Sequence, residues 1–481
     1  SNGNTSSVAQ ESRGNLAEVF QFEGGSSSLA RNESSITQQH QGAANTADPT
    51  STTLSNNRAS VSMRGQGNIS SIAQNGLDNS ARVTMQGGGA QQNAETGRRD
   101  GNQSSVAQSG TGLAAIVAAG STSATEGRAN LSDIRQTGDA HRAVGWQRGV
   151  EDTLSMAQQN GGTTVTYSDG SRARAAADVS QKGVRSSTSV SQAGDNVARV
   201  TQGLGQLSSV SITQVDAGDL ASNQNALDAV NRQFNTALVS QSGNGNAATI
   251  GQNAMNAKAT VWQKLGSSDN AGTVQQGTGG TATADFAATF FRNTAAEVGA
   301  AARNLTANVT QGGGRNNAQL RQDGTGLTAV VEQLGTGAAG FSNSVRVAQQ
   351  GSGNSATARQ SANVGASASG DAASGQAGDE FHFAGGARSA EITILQSNSG
   401  NAATAEQRGK GQVARIEQSG QNNVASIAQL ELATNATAVV RQTGNGNSYS
   451  VSQDQAGQYL SVSQTGNGNA VTDVIQRGPA S

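Results

Sequence analysis

The chain contains no cysteine. That excludes a disulfide framework, thiolate metal sites and a cysteine nucleophile. Aromatic residues are 3% and hydrophobic residues 34% of the 481 positions, too few for a conventional oily core. No apolar run approaches the roughly 18 residues of a membrane-spanning helix. Ser1 is not followed by a charged and then an apolar stretch, so any secretion signal is expected to have been removed already. Charge of either sign is also scarce: 31 Lys and Arg nearly cancel 33 Asp and Glu, and no basic cluster offers an electrostatic footprint for nucleic acid. Disordered chains of low hydrophobicity usually carry a high net charge, and this one carries -2. A polar, nearly neutral chain favours self-association.

What is present is a repeat. Gln recurs at steps of 11 in the runs Gln241, Gln252, Gln263; Gln311, Gln322, Gln333; Gln396, Gln407, Gln418, Gln429; and Gln442, Gln453, Gln464, with Gln476 one residue late. Gln10, Gln21, Gln136, Gln192, Gln202, Gln349 and Gln360 belong to the same set. Five residues after a Gln there is often an Asn, as at Asn15, Asn246, Asn316, Asn354, Asn401, Asn423 and Asn447. Between that Asn and the next Gln the sequence alternates, the period-2 signal of a strand with one buried face. Asn130, Ser132, Ile134, Gln136 and Asn423, Ala425, Ile427, Gln429 show it, with a small residue four before Gln and a branched one two before. Intervening positions such as Asp133, Arg135, Arg415 and Glu417 are charged, as a solvent face requires. A Gly two residues after Gln (Gly138, Gly194, Gly243, Gly324, Gly335, Gly420, Gly444, Gly466) permits a positive φ in a tight arc.

Two strands of about seven residues and their arcs make a rung of about 22 residues, and the expected fold is an all-β solenoid of roughly thirty strands in a single domain spanning 1-481. Rungs stack about 4.8 Å apart, so fifteen to twenty of them would form a rod on the order of 70 to 100 Å long. Stacking buries the apolar stripe and sets Gln over Gln and Asn over Asn, so that their amides bond along the axis. Met63, Met85 and Ala119 stand where Gln is expected, and a thioether cannot continue an amide ladder, so those rungs should be weaker. Tyr167 takes a branched slot. The period lapses near 39-56, 87-101, 216-234, 278-303 and 361-388, which read as insertions at the solenoid corners. One of these, Asp285 to Arg303, is Ala-rich with Phe286, Phe290 and Phe291 and reads as a short helix packed on the rod.

The pattern resembles the curlin repeat of bacterial curli, Ser-x5-Gln-x-Gly-x-Gly-Asn-x-Ala-x3-Gln. Segments 235 to 252 (NTALVSQSGNGNAATIGQ) and 436 to 453 (ATAVVRQTGNGNSYSVSQ) come close, and 458 to 476 nearly does. The resemblance implies an expanded relative of the curli subunit: a secreted fibre protein of the biofilm matrix, extracellular or on the cell surface, with self as its main partner and curli-type secretion and nucleation proteins beside it. The repeat is in force at Asn4, Ser6, Val8, Gln10 and again near the other end. Val8, Val19, Leu460, Val462 and Val474 are therefore the expected assembly interface, joining copies head to tail.

No catalytic residue, metal ligand or cofactor is expected. His40, His141 and His382 are scattered, and His141 falls on an Asn position of the repeat. The Gly-Asn-Gly-Asn tetrapeptides lack the Lys-Ser/Thr of a phosphate loop and recur at arcs, where turn chemistry explains them. Two other functions suit a solenoid: a monomeric secreted adhesin or ice-binding protein, and a β-helix carbohydrate-active enzyme. The first calls for regular outward Thr arrays and the second for an outward cleft of acids, whereas outward positions here mix Arg, Asp, Glu, Ser and Ala.

Overall fold

A computed structural model describes residues 4–11, 14–22, 32–39, 56–65, 67–86, 101–120, 129–159, 175–194, 196–216, 235–254, 257–277, 304–313, 315–334, 343–361, 390–409, 411–430 and 432–476. The bodies of the five expected insertions, the expected helix at 285–303, Tyr167, Gly335, His40 and His382 lie outside the described residues. The described residues form 32 strands and no helix. The chain divides into two compact units, Ser1–Gln241 and Ser242–Ser481.

In the first unit successive strands alternate between two parallel sheets. The first sheet contains Ile69–Leu77, Gln103–Thr111, Leu131–Asp139, Thr153–Gln159 and Ser187–Ala193. The second contains Arg58–Arg64, Ser80–Gln86, Ala114–Gly120, Arg142–Gln147 and Ala176–Gln181. The second unit repeats the arrangement. Glu391–Ser399, Val413–Gln421, Thr437–Thr443 and Tyr459–Thr465 lie in its first sheet, and Ala402–Gln407, Val424–Gln429, Ser448–Gln453 and Ala470–Gln476 in its second.

Parallel pairing follows from the repeat, because a strand that leaves one sheet returns to it only after a strand in the other. Register follows from the inward residues. Gln136 pairs with Gln158 and Gln158 with Gln192, while Ile134, Met156 and Val190 align two residues earlier. A slip of one residue would turn every buried side chain to solvent. The burial pattern of Thr437–Thr443 shows the alternation: Ala438, Val440 and Gln442 are buried and their neighbours are not. Where the volume pattern is broken it is broken on both sides at once. Gly145 replaces the branched residue two before Gln147, and a Cβ there would lie 2.4 Å from Cδ2 of Leu154, which fills the space from the facing sheet.

One strand departs from register. Between Tyr449 and Val451 the pairing with Ala470–Gln476 shifts, so that Thr472 and Asp473 together oppose Ser450. This bulge is the structural form of the late Gln476.

Candidate functional site: the amide ladders and the outermost rungs

The inward glutamines bond directly to one another. In the first unit the first-sheet column runs Gln10, Gln38, Gln74, Gln108, Gln136, Gln158, Gln192, Gln214, with Nε2 donating to the next Oε1 at 2.7–2.8 Å throughout. In the second unit the corresponding column runs Gln252, Gln276, Gln322, Gln349, Gln396, Gln418, Gln442, Gln464 at 2.7–2.9 Å. Its second-sheet column runs Gln263, Gln311, Gln333, Gln360, Gln407, Gln429, Gln453, Gln476 at 2.7–3.0 Å. Gln21 begins the second-sheet column of the first unit, where its Nε2 donates to Thr5 O at 3.3 Å. Gln202 and Gln241 end that column, joined at 3.1 Å.

Each amide has a second task. Gln418 Nε2 also donates to Ala402 O at 3.0 Å, and Gln429 Nε2 to Val413 O at 3.1 Å and Ala436 O at 3.0 Å, carbonyls of the facing side. One side chain thus binds along the stack and across it. An orphaned buried amide costs about 1–3 kcal/mol, and here both hydrogens are used. Within each Gln column the donor is in the earlier rung and the acceptor in the later one.

The Asn column closes the corners. Asn354 Oδ1 accepts the backbone N–H of Asn401 at 2.9 Å, Asn401 that of Asn423 at 3.0 Å, and Asn423 that of Asn447 at 3.0 Å. Their Nδ2 groups donate to arc carbonyls, Asn401 to Gly420 O at 2.9 Å and Asn423 to Gly444 O at 2.8 Å. Asn246 and Asn316 are buried and Asn15 is half-buried; Asn246 Oδ1 accepts Asn270 N at 3.2 Å, and Asn316 N donates to Asn270 Oδ1 at 2.9 Å. The arc glycines Gly138, Gly194, Gly243, Gly324, Gly420, Gly444 and Gly466 have φ between 88° and 147°. Stacking makes glycine necessary as well as convenient: a Cβ on Gly324 would lie 1.9 Å from the carbonyl oxygen of Gly351 in the next rung.

Two features escape a count of 11-residue steps. Gln38, Gln108, Gln181, Gln214 and Gln276 join the ladders although insertions or uneven arcs interrupt the spacing on one side or the other, and Gln74 joins although its 11-residue neighbours are Met63 and Met85. Gln147 and Gln158 continue at 11-residue steps from Gln136, and elsewhere the strand pattern ending in Gln, rather than the interval, was the usable signal. A second left-handed residue sits four after Gln, as at Asp78, Ala140, Glu151, Asn422, Gly245 and Gly446, which explains the second Gly of the Gly-Asn-Gly-Asn motif.

The outermost described rungs differ from the interior. Val8 is 47% exposed and Val19, Leu460, Val462 and Val474 are half-buried, whereas Ile36, Val61, Val440 and Val451 at equivalent inward places are buried. Outward on the same rungs stand Leu16, Phe20, Phe22 and Ile475, all about half exposed.

Residues 235–264 match the family described as Curlin associated repeat. This stretch is a curlin repeat. The matched segment holds Gln241, Asn246, Gln252 and Gln263. The chain thus carries a curlin repeat on an all-β solenoid of parallel stacked sheets. No curated protein sequence matches it. Among the described residues no cluster of His, Asp and Glu could hold a metal ion, and no helix is long and apolar enough to cross a membrane.

Proposed function

We propose that this curlin-repeat protein is a subunit of an extracellular, curli-like amyloid fibre, built by stacking copies head to tail and serving as matrix and adhesive material. The observation that carries the reading is the pair of one-directional Gln ladders meeting outermost rungs whose inward stripe is uncovered. A column of donors facing one way has an acceptor to offer at Gln10 and an amide donor at Gln464, and these are complementary. Stacking the Thr5–Gln10 and Leu16–Phe22 rung of one copy on the Tyr459–Thr465 and Ala470–Gln476 rung of another would bury Val8, Val19, Leu460, Val462 and Val474. It would also bring Phe20 beside Ile475 on the outer face. Secretion and nucleation partners of the curli kind fit the same reading.

Negative-stain microscopy and fibre diffraction of the purified chain test it. Long unbranched filaments with a meridional spacing near 4.8 Å are expected. Val8→Pro with Val19→Pro should stop elongation, because proline removes ladder donors, while circular dichroism still reports the interior sheets. Discrete particles from the unaltered chain, or filaments of normal length and yield from the double variant, would overturn it.

A further inference from the structure

Two corners of the first unit carry ionisable side chains where the repeat calls for Asn. Asp152 follows Asn130 in the corner column of the first sheet. Its backbone N–H donates to Asn130 Oδ1 at 3.0 Å and its Oδ1 accepts the N–H of Ser186 at 3.0 Å, as an asparagine would. The other atom differs. Asn130 Nδ2 donates to Gly149 O at 3.1 Å, whereas Asp152 presents a fully buried Oδ2 that makes no well-formed hydrogen bond and has only the Gly149 amide beside it. Gly149 packs directly against it, since a Cβ there would lie 2.1 Å from Oδ2. Only a protonated carboxyl has a hydrogen to place where the amide would have one.

His141 occupies the corner column of the second sheet, between Leu113 and Ala175. Its Nδ1 accepts the backbone N–H of Ala175 at 3.2 Å and its Nε2 donates to Thr137 O at 3.1 Å. The neutral ring satisfies both; a proton on Nδ1 would leave the Ala175 N–H without its acceptor.

The charges around these corners are taken up or solvated. Near Asp152, Glu151 pairs with Arg185 at 2.8 Å, Asp133 with Arg135 at 3.1 Å, and Arg148 and Lys182 are exposed. Near His141 stand Asp139 and Arg142 on its own segment and Asp178 on the strand above. Burial pushes the Asp152 carboxyl up to about 7 against the pull of the Ser186 and Gly149 amides. Burial pushes the His141 imidazole down, against the Thr137 bond and the Asp139 charge.

We propose that His141 and Asp152 are opposed proton switches in the solenoid wall: the wall closes on the neutral form of each, ionisation of Asp152 loosens it, and protonation of His141 loosens it. The signs follow from linkage. Opening returns Asp152 to water, where it ionises near 3.8, so its contribution to opening grows about tenfold per pH unit from about 4 to about 7 and then levels. The His141 contribution grows as pH falls below 6.5 and levels at its lowered value. In weakly acidic medium the two slopes offset each other, so the natural pair keeps this stretch evenly closed while either switch alone would not.

Hydrogen exchange of the full-length chain at pH 4.5 to 8.5, read on peptides within 131–159, tests this whether or not the chain forms fibres. Peptides within 402–430 serve as the internal reference. Asp152→Asn and His141→Asn each restore the usual column residue. The ratio of opening in the natural chain to that in Asp152→Asn should climb from about one near pH 4 to more than about a hundredfold at pH 7.5. The ratio for His141→Asn should climb in the opposite direction, below pH 6.5. A ratio flat with pH for either variant, or slopes of the same sign, would overturn the proposal.

Discussion

The second-sheet Gln column is unbroken in the second unit, from Gln263 to Gln476, and interrupted in the first. There Gln21 is followed by Met63, Met85 and Ala119 before Gln147, Gln181, Gln202 and Gln241 resume. Met63, Met85 and Ala119 are as buried as the glutamines they replace. The substitution comes as a block, and the reason is the ladder itself: an isolated Met would orphan the amide on each side, whereas adjacent apolar residues orphan only the two at the block's edges. One stretch of the Asn column behaves the same way, since Ala257, Leu305 and Leu327 replace it together in the second unit and form one buried cluster. A Gln column can be polar or apolar, provided that neighbours agree; the corner columns are freer, with Gln412 between Ala390 and Ala436.

A charge agrees with neither kind of column, so it gives the largest effect. Val440→Asp should destabilise the surrounding rungs by about 3 to 5 kcal/mol, the penalty of an uncompensated buried charge. Val439→Asp, on the half-exposed face of the same strand, should stay within about 0.5 kcal/mol. Exchange protection of peptides across 424–453 measures both, and equal losses would mean that the face assignment fails.

Introducing an apolar residue into the intact column comes next. Gln429→Met would deprive Gln407 Nε2 of its acceptor at 2.9 Å and Gln453 Oε1 of its donor at 2.7 Å, at an expected cost of about 2 to 4 kcal/mol. Met85→Leu, a volume-conserving change inside the apolar block, should cost less than about 1.5 kcal/mol. Denaturant titration of the soluble chain separates the two; a similar loss for both would show that the ladder adds little beyond packing.

Much of this was legible in the residues. The two-sheet solenoid, the parallel register and the inward columns follow from alternation ending in Gln, because period 2 fixes the face and identical inward residues fix the partner. Gln396 with Gln418, and Gln442 with Gln464, could be aligned from spacing alone. The pairing of Gly145 with Leu154 could not, since it depends on which residues of facing sheets meet. Tyr449, buried where most copies place a small residue, depends on the same unseen volume. The role of Asp152 was hidden because the interval from Gln147 places it correctly, while its buried Oδ2, without a well-formed hydrogen bond, appears only when the corner is built.

The smallest effect concerns how the interrupted column starts again. Gln147 donates to Gln181 Oε1 at 3.1 Å, but no amide precedes it, because Ala119 occupies the previous rung. Its Oε1 instead accepts the hydroxyl of Ser132, four residues before Gln136 on the facing sheet. By strand position, Ser34, Ser70 and Ser104 are the counterparts of Ser132 opposite Met63, Met85 and Ala119, and all three hydroxyls are buried without a partner. The same serine is therefore useful where the column restarts and idle where it is apolar. Ser132→Ala should cost about 1 to 2 kcal/mol by orphaning Gln147 Oε1, whereas Ser104→Ala, which removes a buried unpaired hydroxyl, should be neutral or slightly stabilising. Exchange of peptides within 101–159 resolves that difference in sign. If both substitutions destabilise equally, the serines act through packing alone, and the restart of the ladder at Gln147 needs no hydroxyl.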